Sequence, residues 1–175
     1  GETLGFDGRV VSVGEGEGYA AIAGKKNAKV NYQVDLIDEI WEDRPVLSEE
    51  PAFNLDVKYA GETVASKLAR IREEMKEAGT NVHVVSTLDD ICWTLNIRGN
   101  DIDFFPLVLS YGIITMDSFE LYIDERKLDD KLKAKLAKDG VNLHPYNDIY
   151  EDVKKFGSDV VAMIDPGKLN YALFN

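Results

Sequence analysis

Five side chains that could form a binding site lie close together near the middle of the chain, at Trp93, Asn96, Arg98, Asn100 and Asp101. An indole offers a stacking surface, amides offer donors and acceptors, and a guanidinium offers a fork of donors to a carboxylate or carbonyl. Apolar residues on both sides predict a buried scaffold that breaks into a polar loop, an arrangement that often presents a binding surface. The sequence therefore predicts a binding site in this segment.

The same residues are also compatible with a purely structural role. Arg98 could pair with Asp101 or Asp103 only to satisfy a turn. Trp93 fits a core position better than a substrate platform, because it lies within an apolar helical pattern. The residues alone leave both interpretations open.

Other candidates for chemistry are weaker. His83 and His144 are the only histidines, and neither has a second metal ligand at a suitable spacing on its own element. Ser110, His144 and Asp148 could be drawn as a nucleophilic triad, but no nucleophile elbow surrounds the serine. Cys92 has apolar neighbours and no basic residue nearby, so packing explains it better than reactivity does.

Composition and charge exclude several classes of ligand. The chain has 20 basic and 32 acidic residues, a formal net charge of −12, which would repel nucleic acids and membrane surfaces. The glycines from Gly14 to Gly18 lack the GxGxxG spacing of a dinucleotide loop, and Glu15 and Glu17 would repel a pyrophosphate. One cysteine and no secretion signal predict a cytoplasmic protein.

Alternating strand and helix patterns predict an α/β fold with a mixed β-sheet flanked by helices. The clearest helix runs from Thr63 to Ala78, and the runs 107–115 and 119–123 predict an antiparallel hairpin. Helical spacing also recurs between Leu36 and Trp41. The run 160–164 predicts a last strand.

A longer set of positions carries a family resemblance, in the pattern LDDIxWxxNxRGxDIxxxPxxxSYxII. The matching residues are Leu88, Asp89, Asp90, Ile91, Trp93, Asn96, Arg98, Gly99, Asp101, Ile102, Pro106, Ser110, Tyr111, Ile113 and Ile114. This segment resembles the second N-terminal domain of the three-domain Xaa-Pro aminopeptidases, in the creatinase/prolidase superfamily. Asp35 to Pro45 is similar to the junction between the first two domains of that family. Asp103 to Phe105 departs from the Pro-Tyr-Asn type of sequence expected there.

The resemblance implies a domain division. Residues 1–45 would be the C-terminal part of a first N-terminal domain, 46–57 a linker, and 58–175 a second, creatinase/prolidase N-terminal-like domain. The mixed-sheet domain would thus be preceded by a partial domain of similar fold.

The resemblance also implies a function, as the non-catalytic N-terminal portion of an enzyme that removes an N-terminal residue preceding proline. Two divalent metal ions, commonly manganese, would be held by a C-terminal catalytic domain, and this chain would supply neither metal ligands nor catalytic residues. The candidates for the substrate cleft are then Trp93, Asn96, Arg98, Asn100 and Asp101. Expected partners are proline-containing peptides, the catalytic domain of the same enzyme and a second copy, and the isolated chain is expected to be inactive.

Two alternatives stay open. Peptidase-like modules of histone chaperones have related domains, bind basic proteins without peptidase activity, and would suit the charge of −12. Creatinase and prolidase themselves are nearer relatives, but they typically carry a single N-terminal domain, whereas the junction at Asp35 to Pro45 implies two.

Overall fold

A computed structural model describes all residues, 1–175. In chain order the elements are β1 (Thr3–Gly5), α1 (Val13–Lys25), β2 (Lys29–Asn31), β3 (Phe53–Asn54), α2 (Val57–Ala60), α3 (Val64–Glu77), β4 (Val82–Val85), α4 (Leu88–Leu95), β5 (Ile97–Arg98), β6 (Ser110–Thr115), β7 (Phe119–Ile123), α5 (Asp130–Lys138), β8 (Val141–His144), α6 (Ile149–Asp152), β9 (Ala162–Met163) and α7 (Tyr171–Phe174). The chain forms two compact units, 1–47 with 165–175, and 48–164. The last eleven residues thus pack with the beginning of the chain. The division into family domains at 45 and 58 stays a prediction.

The first unit is a small parallel βαβ arrangement, in which β1 pairs with β2 and α1 connects them. Helix α1 forms despite its glycines because Ser12 accepts a hydrogen bond from the Glu15 amide and Glu15 bonds back to the Ser12 amide. Gly16 leaves room for Tyr171 of α7, since a Cβ there would lie 2.2 Å from the tyrosine ring.

The helix predicted between Leu36 and Trp41 is wrong, because the chain forms turns there. Leu36, Ile37, Ile40 and Trp41 are all exposed. A short helix with no buried face lacks the packing that normally stabilises it.

The second unit confirms the predicted mixed sheet flanked by helices. Its five strands lie in the order β8-β7-β6-β4-β9. Strand β6 is antiparallel to β4 and β7, whereas β8 and β9 run parallel to their neighbours. Side chains from the sheet and from α3, α4 and α5 form one core. None of the helices has the length and apolar composition that crossing a bilayer requires.

Local signals explain most element boundaries in this unit. Thr63 caps α3, and Gly79, with φ of +69°, follows the end of this helix. The predicted hairpin is confirmed as β6 and β7, although β6 begins only at Ser110. The predicted last strand shortens to β9, Ala162–Met163.

Candidate functional site

The five candidate residues lie where α4 ends and the chain passes through β5 into a loop. Asn96 takes a left-handed conformation, with φ of 53°, directly after α4, and β5 then pairs with β3. Trp93 is 42% exposed, so the expectation of a core position is wrong. Asn100 is also exposed and Arg98 is half-buried. Asn96 and the Asp101 carboxylate are enclosed, which leaves Trp93, Arg98 and Asn100 as the three that another molecule can touch.

Three cationic side chains from three different elements converge on the C-terminal end of α4. The contacts are Lys67 Nζ to Trp93 O at 2.7 Å, Arg98 Nη1 to Cys92 O at 2.8 Å, and Lys135 Nζ to Leu95 O at 3.2 Å. The last carbonyls of a helix lack intrahelical partners and carry partial negative charge, so cations satisfy them well. The result is a concentration of positive charge in an otherwise acidic protein.

Asn96 links two of these elements from the inside. Its Oδ1 accepts a hydrogen bond from Lys67 Nζ at 2.8 Å, and its Nδ2 donates to the carbonyl of Glu62 at 2.8 Å. Asn96 and Lys67 are each only 1% exposed. Burial lowers the pKa of the Lys67 ammonium below its usual range. The amide therefore holds α3 against the end of α4.

Arg98 does not form the ion pair that its neighbours in the sequence suggested. Its Nη1 donates to the carbonyls of Cys92 and Ile97, both at 2.8 Å, and Asp101 pairs with Lys127 instead. The pairing of Arg98 with Asp101 or Asp103 is therefore wrong. Since only Nη1 is engaged, Nη2 and Nε of this half-buried guanidinium remain available as donors.

Asp101 fixes the base of the loop between β5 and β6. Its Oδ2 accepts hydrogen bonds from the Leu109 amide at 2.6 Å and from Lys127 Nζ at 2.5 Å. The carboxylate and the ammonium are 1% and 2% exposed. Oδ1 is buried without a hydrogen-bond partner. Gly99 permits the close packing here, because a Cβ would lie 2.6 Å from Val108 Cγ2.

Cations also cover the indole of Trp93. Lys67 Nζ lies 4.2 Å from the ring centroid and Arg70 Cζ lies 5.8 Å from it. Arg70 is held by Glu62, with Nη2 2.7 Å from the carboxylate. The exposed part of the indole thus belongs to a surface that also carries the Arg70 guanidinium, whose charge Glu62 balances.

Glu62 should make the free energy of unfolding of the second unit depend on pH. Hydrogen bonds from Arg70 and then Ser66 lower the pKa of Glu62 from 4.5 to about 2. A carboxyl group whose pKa is lower in the folded state stabilises the fold above its unfolded pKa, and this contribution is lost as the pH falls through the folded value. We expect the free energy of unfolding to decrease between pH 4.5 and about 2. Glu62→Gln and Arg70→Ala should each flatten this decrease in urea titrations followed by the fluorescence of Trp93 in a Trp41→Phe background. An unchanged slope in both variants would contradict the role of Glu62.

The chain matches known proteins in sequence and in structure. Residues 43–175 match the model of the creatinase/prolidase N-terminal domain. The chain belongs to this family. It is 44% identical over 121 residues to a probable Xaa-Pro aminopeptidase P of Neurospora crassa, covering 69% of this chain and 18% of that protein. Against aminopeptidase P2 of Arabidopsis thaliana the identity is 35% over 179 residues, covering 100% of this chain and 25% of that protein.

A solved structure agrees with these sequence relatives. The X-prolyl aminopeptidase of Caenorhabditis elegans, described as a cytosolic enzyme with a di-nuclear active site, superposes with a TM-score of 0.89 at 34% identity. The superposition covers 99% of this chain and 29% of that enzyme. The chain, a member of the creatinase/prolidase N-terminal domain family, therefore spans less than a third of the length of these relatives.

The other side chains that the sequence offered for chemistry are hydrogen-bonded within the domain or buried. His83 Nδ1 lies 3.1 Å from the carbonyl of Met163, and His144 Nε2 lies 2.6 Å from Glu120. Ser110 donates to the carbonyl of Val108. Burial raises the pKa of the Cys92 thiol, which is 1% exposed. No three His, Cys, Asp or Glu side chains are grouped as a metal ion would require.

The three lysines of the site were not predicted from the sequence. Lys67 had a usable signal, because it falls three residues after Val64 and one before Leu68, on the buried face of α3. A lysine on an apolar face must find a partner for its charge. Lys135 has the same signal, three residues after Leu132 and one before Leu136 on α5, whereas Lys127 precedes that helix and gave no such signal.

Proposed function

We propose that this chain is the non-catalytic N-terminal portion of a dinuclear-metal Xaa-Pro aminopeptidase, which removes an N-terminal residue that precedes proline. The observation that carries the proposal is the superposition on the C. elegans enzyme, which includes almost all of this chain but only 29% of that enzyme. The two metal ions, commonly manganese in this family, do not fit the residues of this chain, which contains no suitable group of ligands. They belong to the catalytic part of the polypeptide, and the isolated chain is inactive.

The role of the domain in this proposal is to shape the substrate cleft and to support assembly, including a homodimer. Trp93, Arg98 and Asn100 would face the cleft, whereas Asn96 and Asp101 hold them in position from inside. The free Nη2 and Nε of Arg98 suit a carboxylate or carbonyl of a proline-containing peptide. The lone buried cysteine and the cytosolic relative favour the cytoplasm as the location.

Arg98→Ala in the full-length enzyme should raise KM for a Xaa-Pro tripeptide by about tenfold, the loss expected for one hydrogen bond to a charged group. The kcat should stay close to that of the wild type, because the contact is equally strong in the bound substrate and the transition state. Arg126→Ala is the matched control, since that arginine is 67% exposed and pairs with Asp124 and Glu49. Steady-state kinetics and thermal unfolding are measured on the same samples. An unchanged KM would remove Arg98 from the substrate site. A larger fall in unfolding temperature in the full-length polypeptide than in the chain 1–175, where only the bonds to Cys92 and Ile97 are lost, would make Arg98 an anchor of the domain interface instead.

A second function is favoured by the charge of −12 alone. A peptidase-like module of the histone-chaperone type would bind basic proteins without cleaving them, and acidic surfaces attract such partners. Binding of a histone at moderate salt by the full-length polypeptide would support this alternative, and its absence would remove it.

A further inference from the structure

The loop between β5 and β6 carries an exposed apolar tip. Ile102, Phe104 and Phe105 are 37%, 102% and 62% exposed, and they are followed by Pro106. Single exposed apolar residues are common, but several adjacent ones on one protruding loop mark an interaction surface. We call residues 102–106 the aromatic tip.

The conformation of the aromatic tip is unusual for its sequence. Phe105 donates its amide hydrogen to the carbonyl of Ile102 at 3.1 Å, which closes a tight turn. Phe104 lies at the third position of this turn with φ of +68°. Glycine and asparagine adopt that conformation readily, whereas a bulky side chain does so only when its surroundings enforce it. The turn is therefore strained at Phe104, and it leaves the aromatic ring exposed to solvent.

Backbone hydrogen bonds and one buried ion pair tie down the base of the loop, which favours a fixed backbone position for the aromatic tip. Leu107 donates its amide hydrogen to the carbonyl of Phe105 at 2.8 Å, and the Asp101 amide donates to the carbonyl of Leu107 at 3.1 Å. The enclosed ion pair of Asp101 and Lys127 closes the loop below these bonds. A backbone that is already ordered loses little freedom on binding, and aromatic residues are typical anchors of interfaces.

The size of the aromatic tip decides which partner it fits. Three side chains bury far less than the roughly 1,000 Å² that a stable association of separate molecules requires. A partner on the same polypeptide needs no such area, because the covalent connection keeps the local concentration high. Since the chain covers 29% of the C. elegans enzyme, the other 71% (100 − 29) of such a polypeptide could supply this partner.

We propose that the aromatic tip inserts into an apolar pocket on the catalytic part of the same polypeptide. Asp103 lies within the exposed tip. Its negative charge would be complemented by basic residues around the rim of that pocket. The inference rests on the proposed function, because it assumes that a catalytic part follows. It adds a specific contact that holds the domain, and with it Arg98 and Trp93, in one orientation.

Hydrogen exchange tests the contact directly, by comparing residues 99–109 in the full-length polypeptide and in the chain 1–175. Exchange in the full-length polypeptide should be slower by about tenfold or more, and independent of protein concentration. The variant F104G/F105S should abolish this protection, while the isolated chain keeps its unfolding temperature or gains from the relieved turn. Tyr59→Ser is the control, because Tyr59 is an equally solvent-exposed aromatic elsewhere in the same unit, at 73%.

Two results would overturn the proposal. Equal exchange in the two polypeptides would show that nothing covers the aromatic tip, and protection that grows with protein concentration would assign the contact to a second copy. Peptidase activity measured on the same full-length sample separates this inference from the proposed function. Activity with an unprotected tip would remove only the docking contact, whereas a protected tip in a polypeptide that cannot cleave Xaa-Pro peptides would remove only the enzymatic assignment.

Discussion

Asn96→Ala should lower the free energy of unfolding of the second unit by about 3 kcal/mol, one of the two largest effects that we expect. The substitution removes the acceptor of the buried Lys67 ammonium and the donor to the Glu62 carbonyl. It also places an alanine at φ of 53°, a conformation that asparagine and glycine tolerate better. Urea unfolding followed by the fluorescence of Trp93, in a Trp41→Phe background that removes the signal of the other tryptophan, measures the effect within this unit.

Two further variants separate the causes. Asn96→Gly relieves the backbone strain but not the lost hydrogen bonds, so it should recover about 1 kcal/mol relative to alanine. Lys67→Met combined with Asn96→Ala should cost less than the sum of the single changes, because the two side chains bond to each other. An alanine variant within about 0.5 kcal/mol of the wild type would contradict the central position of Asn96.

Lys127→Met should be at least as damaging, at about 3–5 kcal/mol, because it leaves the Asp101 carboxylate buried without its cation. One oxygen of that carboxylate already lacks a hydrogen-bond partner, so the Leu109 amide would be the only donor left to compensate. The loop that carries Arg98 and the aromatic tip should become mobile as a consequence. Urea unfolding gives the energy, and hydrogen exchange of residues 99–109 gives the local effect.

The double variant K127M/D101L provides the control for this ion pair. Replacing both charges by apolar groups removes the uncompensated carboxylate and should recover much of the loss, although the Leu109 amide then lacks its acceptor. Lys154→Met, at an exposed pair with Glu151, should change stability by no more than about 0.5 kcal/mol. If K127M alone behaves like K154M, the pair does not hold the loop.

Regular periodicity made the scaffold predictable from the sequence. Helix α3 and the hairpin of β6 and β7 have long, strong patterns, and both lie where the sequence predicts them. The start of β6 was misplaced because Asp101, rather than a neighbouring strand, accepts the hydrogen bond of the Leu109 amide. A side-chain acceptor of this kind leaves no trace in the apolar pattern.

The candidate site was located by sequence, but the partners of its residues were not. Neighbours in the sequence suggested that Arg98 pairs with Asp101, whereas the cation that reaches Asp101 lies 26 residues away. Trp93 was grouped with Ile91 and Leu95, although these two residues are four apart on one helix face and Trp93 points about 200° from Ile91. The three-dimensional fold, and not proximity in the sequence, determines which charged side chains form pairs.

A peptide-cleavage assay tests the central claim most directly. It compares the full-length polypeptide with the chain 1–175, side by side at equal concentration and with added divalent manganese. Release of the N-terminal residue from a Xaa-Pro tripeptide is measured. The full-length polypeptide should cleave the tripeptide, and the chain 1–175 should not. Cleavage by the chain 1–175 alone, or none by the metal-loaded full-length polypeptide, would contradict its assignment as the non-catalytic portion of an Xaa-Pro aminopeptidase.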